Sequence, residues 1–221
     1  MINKSVLEEI EHNLHPYNTK LIAVTKTHPV EVLQEAYNIG LRSFGENKVQ
    51  ELVAKAEALP KDIEWHLIGH LQSNKVKYIA PFIYMIHSVD SFKLLQEINK
   101  EAKKNNRIIK CLLQIYIANE ETKFGLDTIE LMAFLKNPEL DQLENIHIEG
   151  LMGMATNTDD QSIIKNEFQS LNTLFKKLSS TITNKNIEWK EISMGMTSDY
   201  KIAAEAGSTM VRIGSAIFGG R

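Results

Sequence analysis

Cysteine is almost absent from this chain: Cys111 is the only one among 221 residues. No internal disulfide can form, and Met1-Ile-Asn-Lys-Ser5 carries no signal sequence, so the cytoplasm is the expected compartment. Long apolar runs are absent too, and none approaches the roughly 18 residues a membrane-spanning helix needs. Neither sign of charge dominates, with 25 Lys and Arg against 28 Asp and Glu and a formal charge of −3. That balance argues against a nucleic-acid partner and leaves room for a local anion pocket. No linker, low-complexity tract or long repeat divides the chain, so residues 1–221 are expected to form one domain. No Gly-x-Gly-x-x-Gly follows the first strand, which removes the fingerprint of a dinucleotide-binding sheet.

What the chain does have is a regular alternation of short β-rich runs with longer helical ones. Strands are expected at Leu21–Val24, Ser43–Phe44, Glu64–Leu67, Tyr84–His87, Lys110–Ile117, Ile146–Leu151, Trp189–Ile192 and Met210–Ile213. Between them lie helical patterns at Val30–Asn38, Val49–Leu59, Asn74–Ile79, Phe92–Asn105, Ile129–Leu135, Ile164–Leu178 and Tyr200–Ala206, with an extra N-terminal helix at Val6–Leu14. Gly40 and Gly207 stand where helix C-caps belong. Cys111 falls in the fifth strand and is expected as a small core residue. Eight strands alternating with helices imply a parallel sheet, and eight is the number that closes a (β/α)₈ TIM barrel. Polar residues gather at the strand C-terminal ends (Thr25-Lys26, Gly45-Glu46-Asn47, Gly69-His70, Ser88, Ser193 and Arg212), where such barrels build their sites.

Lys26 closes the first strand and shares a face with Ile22 and Val24. Only a neutral amine attacks an aldehyde, and an amine partly shielded at a barrel mouth is a competent Schiff-base nucleophile. From position alone, a solvated turn lysine is the more available description. The stretch Ile192-Ser-Met-Gly-Met-Thr-Ser-Asp199 offers a glycine, the hydroxyls of Ser193, Thr197 and Ser198, and a helix start, a combination suited to phosphate. Arg212-Ile-Gly-Ser215 repeats the glycine and hydroxyl after strand eight. Thr197 or Ser198 could equally be a plain N-cap. An arginine inside the apolar run Met210–Ile213 needs buried partners, which points to a pocket role for Arg212.

Seven motifs occur in order along nearly the whole chain: Ala23-Val-Thr-Lys26, Phe44-Gly-Glu-Asn47, Trp65-His-Leu-Ile-Gly69, Gln72-Ser-Asn-Lys75, Gly150-Leu-Met-Gly-Met154, Ser193-Met-Gly-Met196 and Gly207-Ser-Thr-Met-Val-Arg-Ile-Gly214. Together they resemble the YggS/PROSC family of pyridoxal 5′-phosphate (PLP) binding and homeostasis proteins, itself similar to the barrel domain of alanine racemase, a fold type III PLP protein. The resemblance implies that Lys26 is the Schiff-base lysine and that Asn47 lies beside the cofactor ring. It implies that Ser193, Gly195, Gly214 and Ser215 hold the phosphate, and that Arg212 faces the pyridine nitrogen. An arginine there disfavours the pyridinium form and weakens the ring as an electron sink. Met152 and Met194 are open between pocket and core.

Weaker signals are left with ordinary roles. His66 and His70 are spaced i, i+4 but on a strand, so a metal site is not expected, and each is a rim or core histidine. Asn74, Lys75 and Lys77 read as a solvated face. Ala118-Asn-Glu-Glu-Thr-Lys-Phe-Gly125 resembles a racemase loop and is expected to border the site without chemistry of its own.

Three functions compete: a PLP carrier in PLP and amino-acid homeostasis with little or no catalysis, a PLP-dependent amino-acid racemase, and a Schiff-base aldolase. Racemisation needs acid and base groups on opposite faces of the α-carbon. The chain stops seven residues after Gly214, and the C-terminal β-domain of alanine racemase is expected to be lacking, so the carrier is favoured. PLP-dependent apo-enzymes are the expected recipients, no membrane contact is expected, and the expected state is a monomer or weak dimer.

Overall fold

Each short strand has two apolar faces to bury, and the chain meets that demand by closing its sheet into a barrel and wrapping it with helices. The computed structural model describes residues 2–118 and 125–219. Its strands are β1 (Lys20–Val24), β2 (Ser43–Glu46), β3 (Glu64–Leu67), β4 (Met85–Val89), β5 (Ile109–Ile115), β6 (Ile146–Gly153), β7 (Ile187–Ser193) and β8 (Met210–Ile213). All pair in parallel in chain order, and β1 closes on β8 with Ile22 opposite Arg212. The helices are α1 (Lys4–Leu14), α2 (Val30–Asn38), α3 (Val49–Ala58), α4 (Val76–Ile79), α5 (Phe92–Lys104), α6 (Thr128–Leu135), α7 (Gln161–Thr181), α8 (Tyr200–Glu205) and α9 (Ser215–Phe218).

Helix starts are chemically marked. Asn3, Ser91, Asp127 and Asp160 accept backbone N–H groups at the heads of α1, α5, α6 and α7, and Asp127 forms a full capping box with Glu130. Asp160 explains why α7 begins three residues before the apolar pattern at Ile164. The segment expected as one helix at Asn74–Ile79 divides into a 3₁₀ turn, Ser73–Lys75, and α4. Several strands run past their apolar patterns. The strand expected at Ser43–Phe44 continues through Gly45 and Glu46, which pair with His66 and Leu67. The strand expected at Ile146–Leu151 continues to Gly153, past a register shift between Ile148 and Gly150.

Two apolar layers result. The large one lies between strands and helices and includes the fully buried Leu33, Leu52, Ile98, Phe168 and Leu171. Each such side chain contributes about 1.5–3 kcal/mol through its burial. The small one fills the barrel interior with Ile22, Met85, Leu112, Met152 and Met210. Cys111 is in the large layer, and burial pushes its thiol well above the ordinary range, as a core residue requires. Among the described residues, no helix is long and apolar enough to cross a membrane.

Candidate functional site

Above the interior layer, at the C-terminal ends of the strands, a cavity of about 600 Å³ opens to solvent. That volume lies within the roughly 300–1,000 Å³ of small-molecule sites. Lys26 lines it two residues beyond β1, on the side of Val24, and its side chain is exposed there rather than shielded. The shielded residue is its neighbour Thr25, which points the other way into the protein.

The turn that aims Lys26 is strained and held from behind. Thr27 has φ 68°, an uncommon conformation for a β-branched residue. Its N–H donates to Glu51 of α3. Glu51 also accepts from Lys55 at 2.8 Å, and Lys55 donates further to Glu46 Oε1 at 2.7 Å and to the Thr25 carbonyl at 2.7 Å. Thr25 Oγ1 donates to the same Glu46 oxygen at 2.6 Å. Glu46 is fully buried, and its Oε2 has no hydrogen-bond partner among the described residues. Burial raises its carboxyl above the usual range, against the lowering effect of Lys55 and Thr25.

Arg212 enters the cavity from β8. Its guanidinium is buried and donates to Ser193 Oγ at 2.7 Å and to the Gly153 carbonyl at 3.1 Å. Both acceptors are neutral, and no carboxylate among the described residues lies within ion-pair distance of it. Burial lowers its pKa to about 10, still well above neutrality, so the pocket holds one fixed positive charge. Below it, Ser193 Oγ lies 2.9 Å from His87 Nδ1, and His87 Nε2 lies 2.8 Å from His66 Nδ1.

The opposite wall comes from the loops after β7 and β8. The Arg212 N–H donates to the Gly195 carbonyl at 2.9 Å, and the Met196 N–H donates to Asp199 at 2.5 Å, so the first loop is folded before any ligand arrives. Its tip presents Thr197 and Ser198, and Ser215 Oγ lies 3.2 Å from Thr197 Oγ1. Gly214 backs onto β1, where a Cβ would fall 2.7 Å from the Val24 carbonyl oxygen. Gly195 has φ 98°, and a Cβ there would meet Ala203 Cβ at 2.5 Å. Gly195→Ala is therefore expected to cost about 1–3 kcal/mol, read as a lowered urea midpoint, and to loosen the Met196–Asp199 loop.

The family model described as "Alanine racemase, N-terminal domain" matches residues 5–221. Relatives called pyridoxal phosphate homeostasis protein include one from Aquifex aeolicus, 39% identical over 91% of this chain and 87% of that protein. Another, from Synechocystis, is 37% identical over the full length of both. The chain belongs to the YggS/PROSC family of pyridoxal phosphate homeostasis proteins. Among solved structures, the family member PipY of Synechococcus elongatus matches with TM-score 0.90 without PLP and 0.87 with PLP bound, at 36% identity over 97% of this chain and 99% of that one. Alanine racemase from Bartonella henselae matches at TM-score 0.71 and 17% identity, covering 94% of this chain and 55% of the racemase, a likeness of fold alone.

Of the positions that the family resemblance singles out, Lys26, Asn47, Arg212, Gly214 and Ser215 line one cavity. Ser193 and Gly195 do not line it. The Ser193 hydroxyl is enclosed with Arg212 and His87, and Gly195 serves the packing of α8. Thr197 and Ser198 add hydroxyls to its lining. The cavity methionines are Met154 and Met196, whereas Met152 and Met194 are core. His66 is buried at the far side of the interior layer, and His70 sits at the rim 3.2 Å from Asp90. Asn74 is exposed. Residues 119–124 of the loop expected to border the site lie outside the described residues. Sequence reasoning missed His87 and Lys55, and for each a signal existed: a lone polar ring within the apolar β4, and a Glu51–Lys55 pair at i, i+4 on a helix.

Proposed function

We propose that this protein binds PLP in the C-terminal cavity, carries it as a Schiff base on Lys26 and serves PLP and amino-acid homeostasis in the cytoplasm, with little or no turnover. The observation that carries this is the opening of Lys26 and Arg212 onto one cavity otherwise lined by hydroxyls, an amide and apolar side chains. The residues fit the group: an exposed amine for an aldehyde, a fixed cation with neutral partners for a ring nitrogen, and clustered hydroxyls at Thr197, Ser198 and Ser215 for a phosphate. The names of the family relatives and the PLP-bound PipY structure support the same ligand.

Bound PLP supplies an electron sink for carbanions, and this chain's own residues limit how far that is used. Arg212 would hold its charge against the ring nitrogen and so disfavour its protonation. Among the described residues lining the cavity, Lys26 and Arg212 are the only ones with titratable side chains, whereas racemisation calls for acid and base groups on opposite faces of an α-carbon. The open mouth suits exchange of PLP with apo-enzymes better than water-excluded catalysis.

The test loads the protein with one equivalent of PLP and offers it to a PLP-dependent apo-enzyme and, separately, to a panel of L-amino acids. The expected result is reactivation of the apo-enzyme without measurable racemisation or decarboxylation. Robust turnover of any amino acid would sink the carrier assignment.

A further inference from the structure

We propose that His87 and His66 are positioning residues for Arg212: with Ser193 they form a hydrogen-bonded file of one fixed direction, running from the C-terminal cavity toward a second chamber at the other mouth of the barrel. The file stands on distances alone; its effect on a bound ring rests on the PLP reading above.

The direction follows from Arg212, whose guanidinium has donors only. Ser193 Oγ must accept from it, at 2.7 Å. Ser193 then has its own hydrogen to place, and His87 Nδ1, 2.9 Å away, is the acceptor at hand. A His87 that accepts at Nδ1 carries its proton on Nε2 and donates to His66 Nδ1 at 2.8 Å. His66 in turn carries its proton on Nε2. This direction leaves one buried group unpaired, the His66 Nε2–H, and His66 Nε2 is the ring nitrogen of the file that has no partner among the described residues. The reverse direction would leave two unpaired, the Ser193 hydroxyl hydrogen and the bare His66 Nε2 lone pair. Unpaired buried groups are costly, so the first direction prevails.

Both rings stay neutral in this arrangement. Burial holds His87 well below its ordinary pKa, helped by His66 and Arg212, and burial with Lys20 and Lys110 takes His66 down to about 3. The file of Arg212, Ser193, His87 and His66 contains no carboxylate, and Asp199 acts on Arg212 only through its field, opposing the effect of burial. Two neutral acceptors, Ser193 Oγ and the Gly153 carbonyl, pin the guanidinium while leaving its charge whole. At the far end, His66 lines a chamber of about 300 Å³ with Lys20, Glu64, Tyr84, Lys110 and Glu191.

The direct measurement is nitrogen NMR of ¹⁵N-histidine-labelled protein without PLP near neutral pH, with the two rings identified by the coupling between them across their shared hydrogen bond. Both are expected as neutral Nε2–H tautomers. A proton on His87 Nδ1, or a cationic ring at either position, would overturn the proposal. A second arm titrates PLP into Ser193→Ala and His87→Gln, each checked for folding by circular dichroism. Both are expected to bind PLP about tenfold more weakly, with the visible band shifted and its pH midpoint moved. Wild-type spectrum and affinity in folded His87→Gln would also overturn the positioning role. If wild-type protein fails to bind PLP, the functional reading fails, while the tautomer result still decides the file.

Discussion

Replacing Lys26 with alanine is expected to abolish the visible absorption of bound PLP and to weaken its binding about a hundredfold, close to 2.7 kcal/mol. The Lys26 amine would condense with the aldehyde, forming a C=N bond with loss of water, and alanine offers nothing to replace it. What remains is the non-covalent set of Arg212, Thr197, Ser198 and Ser215, so binding persists at reduced strength. Lys26 is exposed, and a surface change away from special contacts usually moves stability by no more than about 0.5 kcal/mol. The variant should therefore fold normally, which separates lost chemistry from lost structure. Lys26→Arg sharpens the comparison, because it retains a cation in the cavity and forms no Schiff base. Borohydride treatment of PLP-loaded wild-type protein should fix the adduct to the peptide that contains Lys26. Retained colour in Lys26→Ala, with the label on another lysine, would refute the assignment.

How far this site could be read from sequence depended on whether strand parity was enough to place a residue. Period-two alternation puts Ile22, Val24 and Lys26 on one side, and that survives in the structure even though β1 ends at Val24. The same rule places Glu46 opposite to its neighbours Gly45 and Asn47. Glu46 therefore leaves the barrel mouth and meets Lys55 behind the strand, while Asn47 reaches the cavity. Met152 and Met154 share a parity, and only height along β6 decides which is core and which is cavity. Height depends on tilt and on the register shift near Gly150, which no local pattern encodes. The partnership of Ser193 with His87 joins residues 106 apart in sequence, brought together only when the barrel closes. Eight alternations made that closure legible; the contacts inside it were not.

The buried cluster behind Lys26 carries the largest expected effect on stability. Lys55→Met keeps the apolar stem of the side chain and removes its three hydrogen bonds, to Glu46, Glu51 and the Thr25 carbonyl. Glu46 then faces a buried interior with only Thr25 Oγ1 as donor. Stranding one member of a buried ion pair typically costs about 3–5 kcal/mol, a large share of the 5–15 kcal/mol that holds a domain together. The loss should depend on pH in a definite sense. Burial already holds the Glu46 carboxyl above its ordinary value, and without Lys55 it rises further. A carboxyl whose folded-state pKa exceeds its unfolded one stabilises the fold at low pH and loses that contribution as pH rises through the folded value. Glu51 acts in the same direction: burial works against it, but Lys55 and the Thr27 N–H lower its pKa in the wild type, a benefit lost as pH falls. Urea unfolding should therefore show the gap between wild type and Lys55→Met widest near neutrality and narrowing toward the ordinary glutamate value of about 4.3. Glu46→Gln combined with Lys55→Met removes the stranded charge and should recover part of the stability. A gap that is constant across that range, or a double variant no better than the single, would mean that Glu46 is not the stranded charge. The link to function lies one bond further along: with Glu51 no longer held by Lys55, the left-handed Thr27 is free to relax, and Schiff-base formation at Lys26 should slow in the double variant even where its fold is restored.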